Sequence, residues 1–262
     1  MIGIFDSGVG GMTVARAIEH ICPDYPLIYF GDIAHTPYGS KSPETILDYC
    51  RSNTDFLLSQ GATVIVIACN SAASTATDAL RDSYNEPIID VITPATEKAA
   101  EITSNNRIGI IGTRATVRSG VYEKRLRDIM ADCTVISQAC PLLVPLVEEG
   151  WLNKRETKMI LRRYLHSLRR SQIDTLVLGC THYPLLGHLI GPRIGKRVKL
   201  IDSSVEVALY LKSFLDNNPV SARQLQNSHE NNRFFVSDST QPVRQLANRI
   251  FGRTITLEKV HV

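Results

Sequence analysis

Short apolar runs rich in Val and Ile alternate along the chain with longer amphipathic stretches, a pattern that predicts strands and helices in turn. Ile2-Gly3-Ile4-Phe5 reads as a first strand, followed by the turn Asp6-Ser7-Gly8-Val9-Gly10-Gly11 and a helix over about 12–20. Leu27-Ile28-Tyr29-Phe30 reads as a second strand, ending in Gly31-Asp32. Ser42 followed by Pro43 marks a helix start, and Gly61 a stop just after Gln60. Val64-Ile65-Val66-Ile67 is a third strand, a helix covers about 72–84, and Ile88-Ile89-Asp90-Val91 is a fourth strand. Thr93-Pro94 opens a helix through Glu101.

The pattern then restarts. Arg107-Ile108-Gly109-Ile110-Ile111-Gly112-Thr113 echoes the opening Ile-Gly-Ile strand and its turn. A helix over 115–130, a strand over 133–137 and a helix over 154–170 lead to the strand Thr175-Leu176-Val177-Leu178. Ser203-x-x-Glu206 predicts a capping box at the head of a helix running to about Leu215. A polar linker over 217–232 follows, then Phe234-Phe235-Val236 and Thr254-Ile255-Thr256-Leu257 as strands flanking a helix over 242–251. Alternating strands and helices imply an α/β fold with mainly parallel central sheets. The restart implies two pseudo-symmetric α/β domains. The first is expected over 1–92 and 206–262, completed by the C-terminal tail, and the second over 93–205.

Length and composition narrow the classes. The 262 residues suffice for two small domains, and the net charge of +3 is too small to argue for a nucleic-acid or membrane partner. The basic cluster Arg162, Arg163, Arg169 and Arg170 reads as a solvated helix face. The sequence enters a strand at once, with no signal-peptide pattern and no apolar run approaching the ~20 residues of a membrane span. A cytoplasmic location is expected, with the six cysteines reduced. Their spacing matches no zinc site. Gly8-x-Gly10 after a strand, with Asp32 downstream, is a partial dinucleotide fingerprint. Thr13 breaks it at the third small position, and the acidic Asp6 precedes the loop where a pyrophosphate would lie.

The chemistry concentrates at two matching places. Val64-Ile65-Val66-Ile67-Ala68-Cys69-Asn70-Ser71 and Thr175-Leu176-Val177-Leu178-Gly179-Cys180-Thr181-His182 each run from an apolar strand through a small residue to a cysteine and then polar residues. Ligands of open α/β sheets bind at that carboxyl edge. A single cysteine at a strand end is usually a small buried hydrophobe; two at equivalent positions of a repeat point to a shared role. Two thiols on either side of one carbon can withdraw a proton from one face and return another to the opposite face. Asp6 falls on the Cys69 side, and His182 and Glu148 on the Cys180 side, as groups able to hold a proton beside a thiol. Ser7, Tyr38, Asn70, Ser71, Thr113, Thr116 and Thr181 offer donors for a carboxylate.

Asp6-Ser7-Gly8-Val9-Gly10-Gly11, Pro37-Tyr38-Gly39, Ala68-Cys69-Asn70-Ser71-Ala72 and Gly179-Cys180-Thr181-His182-Tyr183-Pro184 resemble the signatures of the glutamate racemase family. Gly112-Thr113-x-Ala115-Thr116 and the stretch from Pro141-Leu142 to Glu148-Glu149-Gly150 are similar too, so the resemblance spans nearly the whole chain in order. Ser71 departs from the threonine often found there, keeping the hydroxyl and losing a methyl. The resemblance implies a cofactor-independent enzyme that interconverts L- and D-glutamate for peptidoglycan synthesis, with its site between two α/β domains. It implies Cys69 and Cys180 as the acid/bases, acting on D- and L-glutamate respectively, with Asp6, Glu148 and His182 in support. Ser7, Pro37, Tyr38, Gly39, Asn70, Ser71, Thr113, Thr116, Thr181 and His182 are implied to bind substrate, together with Asp6, and a homodimer is common in the family.

Neither a metal nor a cofactor is expected; a pyridoxal enzyme would need a Schiff-base lysine, and none stands at these strand ends. Glu148 is preferred over Glu149 on the motif alone. Two other readings remain open at this level: an aspartate racemase or another member of the same superfamily, and a noncatalytic two-lobed protein that binds a dicarboxylate.

Overall fold

The computed structural model describes residues 1–226 and 231–262. Two parallel sheets form the framework. In the larger, β1 (Ile2–Asp6) lies between β2 (Leu27–Gly31) and β3 (Val64–Ile67), with β4 (Ile88–Asp90) beyond β3. In the smaller, β5 (Arg107–Gly112) lies between β6 (Thr134–Ala139) and β7 (Thr175–Gly179), with β8 (Lys199–Asp202) beyond β7. The two sets share one neighbour order, so β3 and β7, which carry Cys69 and Cys180 just past their ends, are topological counterparts. The tail adds β9 (Arg233–Val236) beside β2, and β10 (Glu258–Lys259) beside β9. All of these strands run parallel, so hydrophobic runs without alternation are buried on both faces, and β1, β2, β3 and β7 are buried at every position.

The repeat extends to single glycines. A Cβ on Gly3 would lie 2.7 Å from the Cβ of Ala62, and one on Gly109 would lie 2.5 Å from Cδ1 of Ile173. Ala62 and Ile173 both stand two residues ahead of the adjoining strand. In each half the central strand therefore gives up a side chain so that the segment entering the cysteine strand can cross close above it.

Helices close the faces. α1 (Met12–Ile21) packs against α10 (Ser203–Asn217) and α12 (Gln241–Phe251), and α10 also packs on α4 (Ile92–Ile102). α2 (Pro43–Ser59) starts as expected, with the Ser42 hydroxyl accepting from the Thr45 N–H at 3.3 Å and Pro43 in the first position. It ends at Gly61, whose φ of +88° suits a residue without Cβ. α3 (Asn70–Ser83) begins directly after Cys69, two residues earlier than the apolar spacing indicates. Among the described residues, no helix is long and apolar enough to cross a membrane.

Four local expectations are corrected. The helix over 115–130 is two helices, α5 (Arg114–Ser119) and α6 (Val121–Ile129), broken at Gly120, which takes a left-handed φ of +68°. The cap of α10 is Asp202, whose side chain accepts from the Ser204 N–H at 2.9 Å; Ser203 already lies inside the helix and donates to the Leu178 carbonyl. The linker over 217–232 contains α11 (Pro219–Gln226), while its residues 227–230 lie outside the described residues. The last strand is not Thr254 to Leu257 but Glu258–Lys259, because the Ile255 N–H is taken by the Asn248 side chain at 2.8 Å. Two further helices, α7 (Leu143–Glu148) and α8 (Arg155–Arg170), fill the stretch before β7, and α9 (Gly187–Ile194) follows it.

Candidate active site

The carboxyl ends of β1, β3, β5 and β7 meet around one small cavity of about 30 Å³. Cys69 and Cys180 both line it, and each is only 5% exposed. Ser7, Pro37, Tyr38 and Gly39 line it from the first half of the chain, with Asn70 and Ser71 at the start of α3. Thr113, Thr181 and His182 close it from the second half. Thr36 and Val144 also line it and were not expected. A roomier hollow of about 620 Å³ beside α1, α10 and α12 contains neither thiol.

Three expected residues stand behind the lining. Asp6 is buried under its own loop: its Oδ2 accepts the Gly8 and Gly11 N–H groups at 3.0 Å each, and its Oδ1 accepts from the Thr181 hydroxyl at 3.4 Å. Burial holds its pKa above the usual carboxylate range, although His182 and those N–H groups pull it down. The carboxylate thus occupies the amides that a phosphate would use, and Thr13 donates to the Gly10 and Thr181 carbonyls. The partial dinucleotide fingerprint is therefore structural. Its glycines avoid the left-handed region and serve close approach instead: a Cβ on Gly10 would lie 2.4 Å from the His182 ring. Thr116 is buried behind Thr113, its N–H donating to the Thr113 hydroxyl at 3.2 Å, and Thr113 in turn shares a 2.8 Å hydrogen bond with Ser71 across the two halves. Glu148, at the end of α7, reaches His182, with Oε1 3.2 Å from Nε2. Glu149 is exposed, so of the two glutamates it is Glu148 that contacts His182.

The thiols have different surroundings. Cys69 caps the N-terminus of α3 and hydrogen-bonds the Ser7 hydroxyl at 3.4 Å. Burial and the neighbouring Asp6 outweigh its hydrogen bonds with Ser7 and the Ala72 N–H and push its pKa from 9.0 up to about 12. Cys180 instead faces His182, with Sγ 3.9 Å from Nδ1, and continues through that ring to Glu148. Burial disfavours charge on His182, but its hydrogen bonds to Cys180 and Glu148, with their charges, prevail and raise its pKa from 6.5 to about 10. The ring can hold a proton next to the Cys180 sulfur at neutral pH.

Further residues position this set. The Tyr38 hydroxyl does not face the cavity; it donates to Asp32 at 2.6 Å and accepts from Asn53 at 3.0 Å. Asp32 also accepts from Ser237, just past β9, so the tail helps hold the Tyr38 loop. Tyr183 donates to the Gly112 and Cys140 carbonyls, fastening the turn after Cys180 to the ends of β5 and β6. Apart from His182, the cavity lining has no cationic side chain, so any carboxylate there is met by hydroxyls, an amide and backbone N–H groups.

The same arrangement of chain occurs elsewhere. Residues 11–209 match the family described as Asp/Glu/Hydantoin racemase. A glutamate racemase of Geobacter metallireducens is 43% identical over 251 residues, covering 96% of this chain and 92% of that protein. The crystal structure of a glutamate racemase isoform from Bacillus anthracis superposes with a TM-score of 0.94 at 35% identity, covering 100% of this chain and 97% of that one. The glutamate racemase of Francisella tularensis, solved with D-glutamate, gives 0.90 at 34% identity, covering 99% and 96%. With two strand-end thiols on one cavity and likeness along almost its full length, this chain belongs to the Asp/Glu/hydantoin racemase family.

Proposed function

We propose that the chain is a glutamate racemase that interconverts L- and D-glutamate through Cys69 and Cys180. The single observation that carries this reading is that both thiols, from counterpart strands, line one cavity. In the L-to-D direction, Cys180 takes the Cα proton, with the electron pair left on the substrate carbon. The Cys69 thiol gives its proton to the opposite face, so one C–H and one S–H bond break as one of each forms. The reverse direction exchanges the roles. His182, backed by Glu148, steadies the proton at Cys180; Asp6 holds the loop that carries Ser7. Asn70, Ser71, Thr113 and Thr181 bind the substrate carboxylates, with the Pro37-Tyr38-Gly39 backbone shaping one wall and Thr116 supporting Thr113.

The names of the relatives favour glutamate over aspartate as substrate. The two-thiol lining favours catalysis over simple binding of a dicarboxylate. We read the enzyme as cofactor-independent, cytoplasmic and homodimeric, supplying D-glutamate for peptidoglycan. Its domains divide as 1–92 with 206–262, and 93–205. Incubation of the purified, metal-free protein with L-glutamate in D2O tests the reading. D-glutamate carrying deuterium at Cα is expected. Unchanged L-glutamate would overturn it, and inversion of L-aspartate alone would move the assignment to the aspartate enzyme.

A further inference from the structure

Asn70 follows Cys69 directly, is 2% exposed and borders the cavity. Its two amide ends are treated unequally. Oδ1 accepts a 2.6 Å hydrogen bond from the hydroxyl of Tyr122, a residue of α6 in the other half of the repeat. Nδ2 is buried and, among the described residues, has no hydrogen-bond partner. A buried amide N–H without a partner is costly, so such a donor is expected to have a use. With the oxygen held, the nitrogen is the end left for a ligand.

Tyr122 is placed to hold that oxygen. Its ring is fully enclosed and packs on the edge of β7 at Gly179, where an added Cβ would lie 3.3 Å from Cε2. Gly179 directly precedes Cys180. Burial also raises the tyrosine's pKa well above normal, so its hydroxyl stays a donor. One side chain therefore touches the residue before one thiol and the residue after the other.

We infer that Tyr122 is a positioning residue, which fixes the Asn70 amide so that its NH2 group points into the cavity and donates to a carboxylate of the amino-acid substrate. This rests on the racemase reading above. Without the hydroxyl, the amide is free to turn over and present its oxygen to the carboxylate, which repels it.

The test compares Tyr122→Phe, Asn70→Ala and the double variant in both reaction directions, with side-chain amide NMR of 15N-labelled protein alongside. Tyr122→Phe should raise KM for both enantiomers about tenfold, equivalent to losing one oriented hydrogen bond, with kcat within about threefold. In the Asn70→Ala background the same change should add less than about twofold, because the two residues act as one. The NH2 resonances that vanish in Asn70→Ala should shift or broaden in Tyr122→Phe. An unchanged KM, an additive double variant or unmoved Asn70 resonances would overturn the inference. The NMR result does not depend on turnover. If the parent protein fails to racemise glutamate, the functional reading falls, while the orientation of Asn70 is still decided by its resonances.

Discussion

Gly10 and His182 are packed so closely that a single methyl on the glycine would lie 2.4 Å from the imidazole ring and 2.6 Å from the Thr181 hydroxyl. The loop after β1 is thereby pressed onto the turn after β7, and the imidazole is held between that loop, Cys180 and Glu148. Gly10→Ala should push the ring off its position. Overpacking of this kind costs about 1–3 kcal/mol, and displacing a proton-holding group slows turnover further, so kcat/KM should fall by at least about tenfold. Steady-state kinetics with both enantiomers checks this, and activity near that of the parent would refute it.

Replacing either thiol should separate exchange from inversion. Cys69→Ala and Cys180→Ala should each lower racemisation by about a thousandfold or more, as loss of a positioned proton donor or acceptor does. Each variant keeps one thiol. Cys69→Ala should still wash deuterium into L-glutamate from D2O, and Cys180→Ala into D-glutamate, without inversion. Mass spectrometry after chiral separation reads both, and normal turnover in either variant would reject the two-thiol scheme.

The adjacent glutamates should behave differently. Glu148 is 3.2 Å from His182, whereas Glu149 is exposed to solvent. Glu148→Gln should lower kcat by about tenfold or more through the weakened hold on the imidazole proton, and Glu149→Gln should stay within about twofold. Equal effects would show that the His182 contact is unimportant.

Stability should decline as pH rises above neutrality. In the unfolded chain His182 titrates near 6.5, but in the fold its pKa is raised to about 10. The native state then binds the proton more tightly. That contribution is fully present below about 6.5 and is lost as pH climbs through about 10. Cys69, raised from 9.0 to about 12, acts in the same direction over a higher range, because the unfolded thiol ionises first. The Tm should fall from neutral pH to about 10, and His182→Asn should flatten that fall. A Tm that rises over this interval would contradict the assignment.

The strands were legible because parallel strands buried on both faces leave unbroken apolar runs, as in Val64–Ile67 and Thr175–Gly179. The paired thiols were legible because the sequence repeats, and the repeat reflects a shared neighbour order of strands. What escaped depends on partners far away in sequence. Nothing near Tyr38 indicates that its hydroxyl faces Asp32 rather than the cavity, and nothing near Tyr122 points to Asn70, 52 residues earlier. The break at Gly120 was hidden by a helical spacing that continues across it, since an isolated glycine is compatible with either outcome. Asp32 did carry a signal, but a misleading one: its distance from Gly8 and Gly10 suited a ribose, whereas its carboxylate serves Tyr38 and Ser237.

The smallness of the cavity has a consequence for binding. About 30 Å³ admits a couple of water molecules and not an amino acid. Ser71 and Thr113 share a 2.8 Å hydrogen bond across its lining, so both hydroxyls can donate to a substrate carboxylate only once that bond is given up.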